Sequence, residues 1–346
     1  MRDRRLARIL RDARRRDSLR HGAVTKKMEI MDFPPVERRV EWPTVALAAA
    51  IYGLWLAATY FHDALPLWAL APIGAWATAW HMSLQHEIIH GHPTRKRWVN
   101  SLVAQWPLAL WLPFESYRHS HLAHHNDERL TDPLDDPESF YWTPEQWAEV
   151  GALGRLAVRV QSRLVGRVVL GPLWTIGRFW KFELAALWRG DGAERRRIAQ
   201  HLAEAALVLF WVLGVCAMPL ATYLFCFVYC GTALALVRSF AEHRAESAVE
   251  RRTAIVERSW ILGPLFLFNN LHVAHHMRRN LPWYKLPSWY RANRQALIAA
   301  NGGLVYDSYF DVAKRYGFRP HDQALHPHGE ALPRRERPAP MAAEAT

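Results

Sequence analysis

The chain has 346 residues, 44 Lys and Arg against 32 Asp and Glu, and 51% hydrophobic residues, including 17 Trp. That composition excludes a largely disordered chain, and three cysteines confined to one apolar block (Cys216, Cys226, Cys230) exclude both a disulfide framework and a thiolate zinc finger. The net charge of +12 admits nucleic acid, a membrane surface, or basic loops flanking membrane spans.

From Met1 to Lys27 the chain is dense in arginine, but it has no interleaved aromatics and no reading module, so no nucleic-acid partner is expected. Residues 1–42 read as a basic N-terminal region. An apolar block follows at about 44–61, then a break at His62, Asp63 and Pro66, then a second block at about 67–84. A matching pair lies at about 202–218 and 220–237, divided by Pro219. Each block is close to the roughly 20 residues that cross a bilayer, and Trp and Tyr sit near the ends. The predicted architecture is an all-α integral membrane protein with four transmembrane helices in two hairpins.

Arginine and lysine crowd the N-terminal region, the stretch Arg95–Arg197 and the region after Arg238, while the two hairpin turns carry none. By the positive-inside rule, both termini and the long central loop are expected to be cytoplasmic. Between the hairpins, Asn100–Phe114 is apolar but short and broken by Pro107 and Pro113, so it is expected to dip into or lie on the inner leaflet. The spaced basic residues at about 154–180 predict an interfacial helix, and Trp260–Phe268 is a similar short apolar piece. The membrane domain is placed at 43–320. The Pro-, Arg- and Ala-rich tail 321–346 is expected to be disordered, with His321, His326 and His328 solvated.

The 18 histidines are clustered. His86-Glu87-Ile88-Ile89-His90 begins where the second block ends, and an i,i+4 pair puts both imidazoles on one helix face. His121, His124 and His125 form an H-x-x-H-H pentad in the central loop, and His272, His275 and His276 form another beyond the fourth block. All three clusters fall on one side of the predicted membrane. Eight imidazoles exceed the three or four ligands that one zinc takes and suffice for two metals with open positions. Nitrogen sites without thiolates suit iron, copper or zinc. HEIIH alone is also the zinc-protease signature, with Glu87 as base, but that reading leaves both pentads unexplained. A transmembrane haem carrier needs histidines near mid-bilayer, whereas these sit at helix ends.

The triplet H-x-x-x-H, H-x-x-H-H, H-x-x-H-H on two membrane hairpins resembles the membrane-bound fatty acid desaturases and their related hydroxylases. The resemblance covers about residues 45–290 and includes HEIIHGH at 86–92, YRHSHLAHH at 117–125 and NNLHVAHH at 269–276. DPLDDPESFYW at 132–142 and LPWYKLP at 281–287 are similar to the bacterial members, which implies a bacterial cell membrane. The resemblance implies two iron ions, O2 as co-substrate and an acyl substrate carried by a membrane lipid or another acyl carrier. It implies His86, His90, His121, His124, His125, His272, His275 and His276 as ligands, with His243 as a ninth from just past the fourth span. Animal relatives have an asparagine one turn before that ninth histidine, where this chain has Ser239.

Glu87, Asp127, Asp132, Asp136 and Glu242 are candidate acceptors for ligand N–H groups, and His92 and His119 are extra histidines near the boxes. Phe140, Tyr141 and Trp142, with Trp283 and Tyr284, are candidates for an acyl channel or for interfacial anchors. Insertion of a double bond and hydroxylation of a lipid, alkane or carotenoid both remain open at the level of sequence. No haem-attachment, dinucleotide or fused cytochrome-like motif is found, so a separate ferredoxin-type donor with its reductase is expected.

Overall fold

The structure, a computed structural model, describes residues 40–125, 129–190 and 192–327; most of the basic N-terminal region, Asp127, and the tail beyond residue 327 lie outside the described residues. The chain is mostly helical. Helix α1 spans Trp42–Tyr60, with Pro43 in its first turn, where no backbone donor is needed. Helix α2 spans Leu67–Ile89, α3 Arg97–Ala104 and α4 Phe114–His124. Helices α5 (Pro144–Glu149), α6 (Ala152–Gln161) and α7 (Leu164–Trp188) follow. Helix α8 runs Gly192–Val215 and α9 Leu220–Glu242. Beyond them come α10 (Leu262–Leu265), α11 (His272–Met277), α12 (Leu286–Ala300) and α13 (Tyr309–Tyr316).

Among the described residues, three helices are long and apolar enough to cross a membrane: α1, α8 and α9. Helix α2, expected as the second span, is continuous over 23 residues but is not one of the three. Trp68, Pro72, Trp76, Trp80 and His81 dilute its apolar character. Its position accounts for this, because α2 packs against both α1 and α9 and buries much of its surface on protein. The contact with α9 is close. A Cβ on Gly231 would stand 2.5 Å from Thr78 Cβ, and one on Gly74 would stand 2.9 Å from the Cys226 carbonyl oxygen. Small residues at such seams let helix backbones approach.

Helices α8 and α9 each contain a stretch of wider, π-helical winding, at Phe210–Val215 and Leu224–Tyr229, on either side of the turn at Pro219. The short apolar stretch at 100–114 dips between helices. Leu108, Ala109, Trp111 and Leu112 join the core cluster that holds Trp55, Tyr223 and Phe227. Its irregular backbone needs donors in that apolar setting. Tyr223 Oη donates to the Leu108 carbonyl at 2.7 Å, and His201 Nε2 lies 2.9 Å from the Leu110 carbonyl. The region expected to form one interfacial helix is two helices, α6 and α7, broken at Ser162 and Arg163.

Two short strands depart from a purely helical fold: β1 (Ile255–Val256) pairs in parallel with β2 (Val305–Tyr306). Val256 N donates to the Asn270 carbonyl at 2.8 Å, and Asn270 Nδ2 donates to the Val256 carbonyl at 2.6 Å. This ladder fixes the chain just ahead of α11, the helix of the third histidine cluster. The expectation that disorder begins at residue 321 is corrected for residues 321–327. Trp142 N donates to the Ala324 carbonyl and His326 N to the Trp142 carbonyl. His321 Nε2 lies 2.8 Å from Tyr306 Oη, and His326 Nε2 lies 3.1 Å from Thr131 Oγ1. Both histidines are therefore bonded to protein rather than merely solvated.

Candidate metal centre

The three histidine clusters meet at one end of the helix bundle. His86 lies in the last turn of α2 and His90 directly follows it. His121 and His124 lie in the last turn of α4, with His125 as the next residue. His272, His275 and His276 ride on α11. His243 follows α9 in extended conformation, bridged to Thr253.

These nine side chains divide into two groups. His86, His90, His121, His125 and His275 form one, and His124, His243, His272 and His276 form the other; within each group the ligand atoms lie within 4.8 Å of one another. Helical spacing explains the division. The i,i+4 pairs 86/90 and 121/125 point into the first group, and the pair 272/276 points into the second. The middle histidine of each pentad crosses over: His124 joins the second group and His275 the first.

Four of the ring nitrogens facing away from the groups meet acceptors. His121 Nδ1 lies 2.9 Å from Glu138 Oε1, and His124 Nδ1 lies 2.9 Å from Asp136 Oδ1. His272 Nδ1 lies 3.0 Å from Asn269 Oδ1, and His243 Nδ1 lies 3.2 Å from the Arg252 carbonyl. An imidazole that donates from Nδ1 presents a bare lone pair at Nε2. Those Nε2 atoms converge: His121 is 3.1 Å from His90 and 3.0 Å from His125, which is 3.1 Å from His275. In the second group His243 is 3.1 Å from His124 and 2.9 Å from His272.

A metal–imidazole bond of about 2.1 Å places neighbouring ligands at right angles about 3.0 Å apart, so the spacing fits a metal in each group. The donor set is all nitrogen, which suits iron, copper or zinc. The cysteines stand elsewhere, on or next to α8 and α9.

Burial sets the charge state. It holds His90, His121, His272, His275 and His276 well below the ordinary histidine range, and lowers His243 to about 3. Burial also pushes His124 down, but the carboxylates of Glu138 and Asp136 outweigh it and raise that residue to about 9. Nearly the whole cluster is thus neutral and ready to ligate.

The expected acceptors behave differently from one another. Asp136 holds His124 as described. Glu242 Oε1 accepts from Asn269 Nδ2 at 2.9 Å, pairs with Arg238 at 3.2 Å and stands 3.4 Å from His272 Nδ1. Asp132 caps a turn by accepting from Leu134 N and Asp135 N, and among the described residues it contacts no histidine. Glu87 accepts from Trp283 N at 2.9 Å and lies 3.7 Å from His92 Nε2. Held in that way beside a histidine shared among five, it does not suit the role of base over an isolated HEIIH zinc. His92 is fully buried, its Nδ1 2.8 Å from both oxygens of Glu41, while His119 is exposed and belongs to neither group.

Glu138, Asn269, the Arg252 carbonyl and Glu41 were not anticipated. Glu138 stands two residues after Asp136 in the acidic run, a visible signal. Asn269 stands three residues before His272, inside the NNLHVAHH motif, and was overlooked there. The Arg252 carbonyl is nine residues from His243 and Glu41 is 51 from His92, and no motif marks either.

The comparisons with known proteins agree with this geometry. The family model for fatty acid desaturases matches residues 64–310. An sn-1 oleoyl-lipid 12-desaturase of Picosynechococcus is 26% identical over 294 residues, covering 78% of this chain and 80% of that one. The protein of the same name from Synechocystis is 25% identical over 250 residues, covering 65% of this chain and 66% of its own. With its three histidine clusters and its membrane-length apolar helices, the chain belongs to the fatty acid desaturase family, membrane oxidoreductases that introduce double bonds into lipid acyl chains.

Proposed function

We propose that the two histidine groups hold two iron ions and that the substrate is an acyl chain esterified in a membrane lipid, as the printed names of the two relatives suggest for those proteins. The observation that carries the reading is the five-and-four division of nine imidazoles, four of which have their outward nitrogens bonded to Asp136, Glu138, Asn269 and the Arg252 carbonyl. When bound, the iron pair supplies the oxidising power that no side chain has, using O2 and two electrons from outside to remove two hydrogens from adjacent methylenes. The chain's own residues hold the ligands in one tautomer, keep water out by burial, and bring three helices to a common end.

Four crossings are proposed, with α2 as the shielded one and the histidine end cytoplasmic, because the clusters share that end and the opposite turns lack basic residues. The electron donor is proposed to be a separate acidic one-electron carrier of ferredoxin type. His276 is only partly buried, and Arg278 and Arg279 follow it closely.

The test is metal content per chain of detergent-purified protein, together with the fatty acid profile of cells that express it. About two irons, lost in His124→Ala and His275→Ala along with any new unsaturated acyl chains, is the expected result. One zinc that survives both changes refutes the reading.

A further inference from the structure

Beside the second histidine group lies a cleft of about 90 Å³, partly open to solvent. His243 and Ser239 line one side, Phe140 and Trp174 lie on others, and Arg167 and Arg178 face into it from α7. Arg167 is 6% exposed. Its Nε donates to the Gln161 carbonyl at 3.1 Å, its guanidinium lies 4.0 Å over the Phe140 ring, and its Nη1 is buried with no hydrogen-bond partner. Arg178 Nη2 donates to the Ser139 carbonyl at 3.1 Å. Among the described residues, neither guanidinium forms an ion pair.

Arg167 is a buried cation without a paired carboxylate, which is costly, while Arg178 is half-buried and feels the charge of Asp136. Three carboxylates share the cleft, but each is already engaged. Asp136 holds His124 and the Thr131 amide, Glu138 holds His121, and Asp322 accepts from Tyr141. Two guanidiniums with spare donors facing one cavity form a receptor for a tetrahedral anion, because their planar forks match phosphate oxygens.

Resting on the lipid-desaturase reading above, we infer that this cleft seats the phosphodiester of a glycerophospholipid substrate, with Arg167 and Arg178 on its oxygens and the aromatic wall against the lipid beside His243. In such a lipid the acyl carboxyl is esterified and uncharged, so the phosphodiester is the group that offers the negative charge. The two arginines thereby select the lipid class and act as binding residues, not as part of the metal centre.

The test compares dioleoyl phosphatidylglycerol with monogalactosyl dioleoylglycerol, which has the same acyl chains and no phosphate, as substrates for the full-length protein reconstituted in nanodiscs and supplied with O2, a ferredoxin, its reductase and NADPH. The Arg167→Gln/Arg178→Gln protein is expected to show KM for the phospholipid raised about tenfold or more, the size of a lost charge-assisted contact. Its kcat, its metal content and its KM for the galactolipid should stay unchanged, and Arg178→Lys should restore part of the loss. Inorganic phosphate is the third arm. An unchanged phospholipid KM, an equal loss on both lipids, or strong protection by millimolar inorganic phosphate without lipid discrimination each overturns the inference; the first two leave no phosphate receptor and the last gives it a soluble ligand. Turnover of neither lipid by the unaltered protein overturns the lipid-desaturase reading instead.

Discussion

Asp136→Asn tests whether the partners of the outward nitrogens govern metal retention. Asp136 Oδ1 lies 2.9 Å from His124 Nδ1 and accepts the Glu138 amide at 2.9 Å, while Oδ2 accepts the Thr131 amide at 2.8 Å. The amide keeps one acceptor oxygen and loses the charge. Either His124 or the Thr131 amide then faces an NH2 group, and the ring is no longer held to donate from Nδ1. Loss of such a partner typically weakens metal affinity by about 10–100-fold, or about 1.4–2.8 kcal/mol. The assay is iron release into a chelator from purified protein, followed as iron per chain against chelator concentration. Asp132→Asn is the matched control, since Asp132 caps a turn and touches no histidine among the described residues. The reasoning fails if the two variants release iron alike, or if Asp136→Asn holds it as tightly as the unaltered protein.

Three further outcomes are expected. Gly231→Ala should lower thermal stability in detergent by about 1–3 kcal/mol, because its Cβ meets Thr78 at 2.5 Å, whereas Gly53→Ala, with nothing within 4 Å, should be neutral or stabilising in a melting scan. In metal-free protein His124 titrates near 9, raised above its unfolded value, so its contribution to stability is complete below about pH 6.5 and is lost as pH rises through 9. Metal uptake near pH 7 should accordingly release a proton from His124, an effect that fades above pH 9 and is measurable by calorimetry in buffers of different ionisation heat; a release that His124→Gln does not reduce refutes it. His119→Ala should leave metal content and product formation intact, while His121→Ala removes both, as purification and lipid analysis of the pair will show.

Much of the centre was legible in the sequence because its spacing is local. An i,i+4 pair fixes two imidazoles on one face whatever the rest of the chain does, so 86/90, 121/125 and 272/276 were readable as pairs. Their assignment to a particular group depends on how α2, α4 and α11 are set against one another, and no motif states that. The same holds for the Arg252 carbonyl, returned to His243 by the chain that follows α9, whereas Asn269, three residues before His272, was within reach of a local reading. Hydropathy found the apolar blocks, but it did not show that α2 is less apolar than α1, α8 and α9, because a helix shielded by protein is free to carry Trp, Pro and His. The ordering of 321–327 escaped composition altogether, since most of its bonds are made to Trp142 and Thr131 far upstream.

The exchange of His124 and His275 between the two groups means that neither ion belongs to a helix of its own. Each would clasp α4 and α11 together, so the first ion to arrive holds both helices in place and places the ligands awaited by the second. The ordering entropy is spent once for both, and loading becomes cooperative. Molecules with one ion should therefore be scarce compared with empty and full ones, and damage to either half should empty the whole.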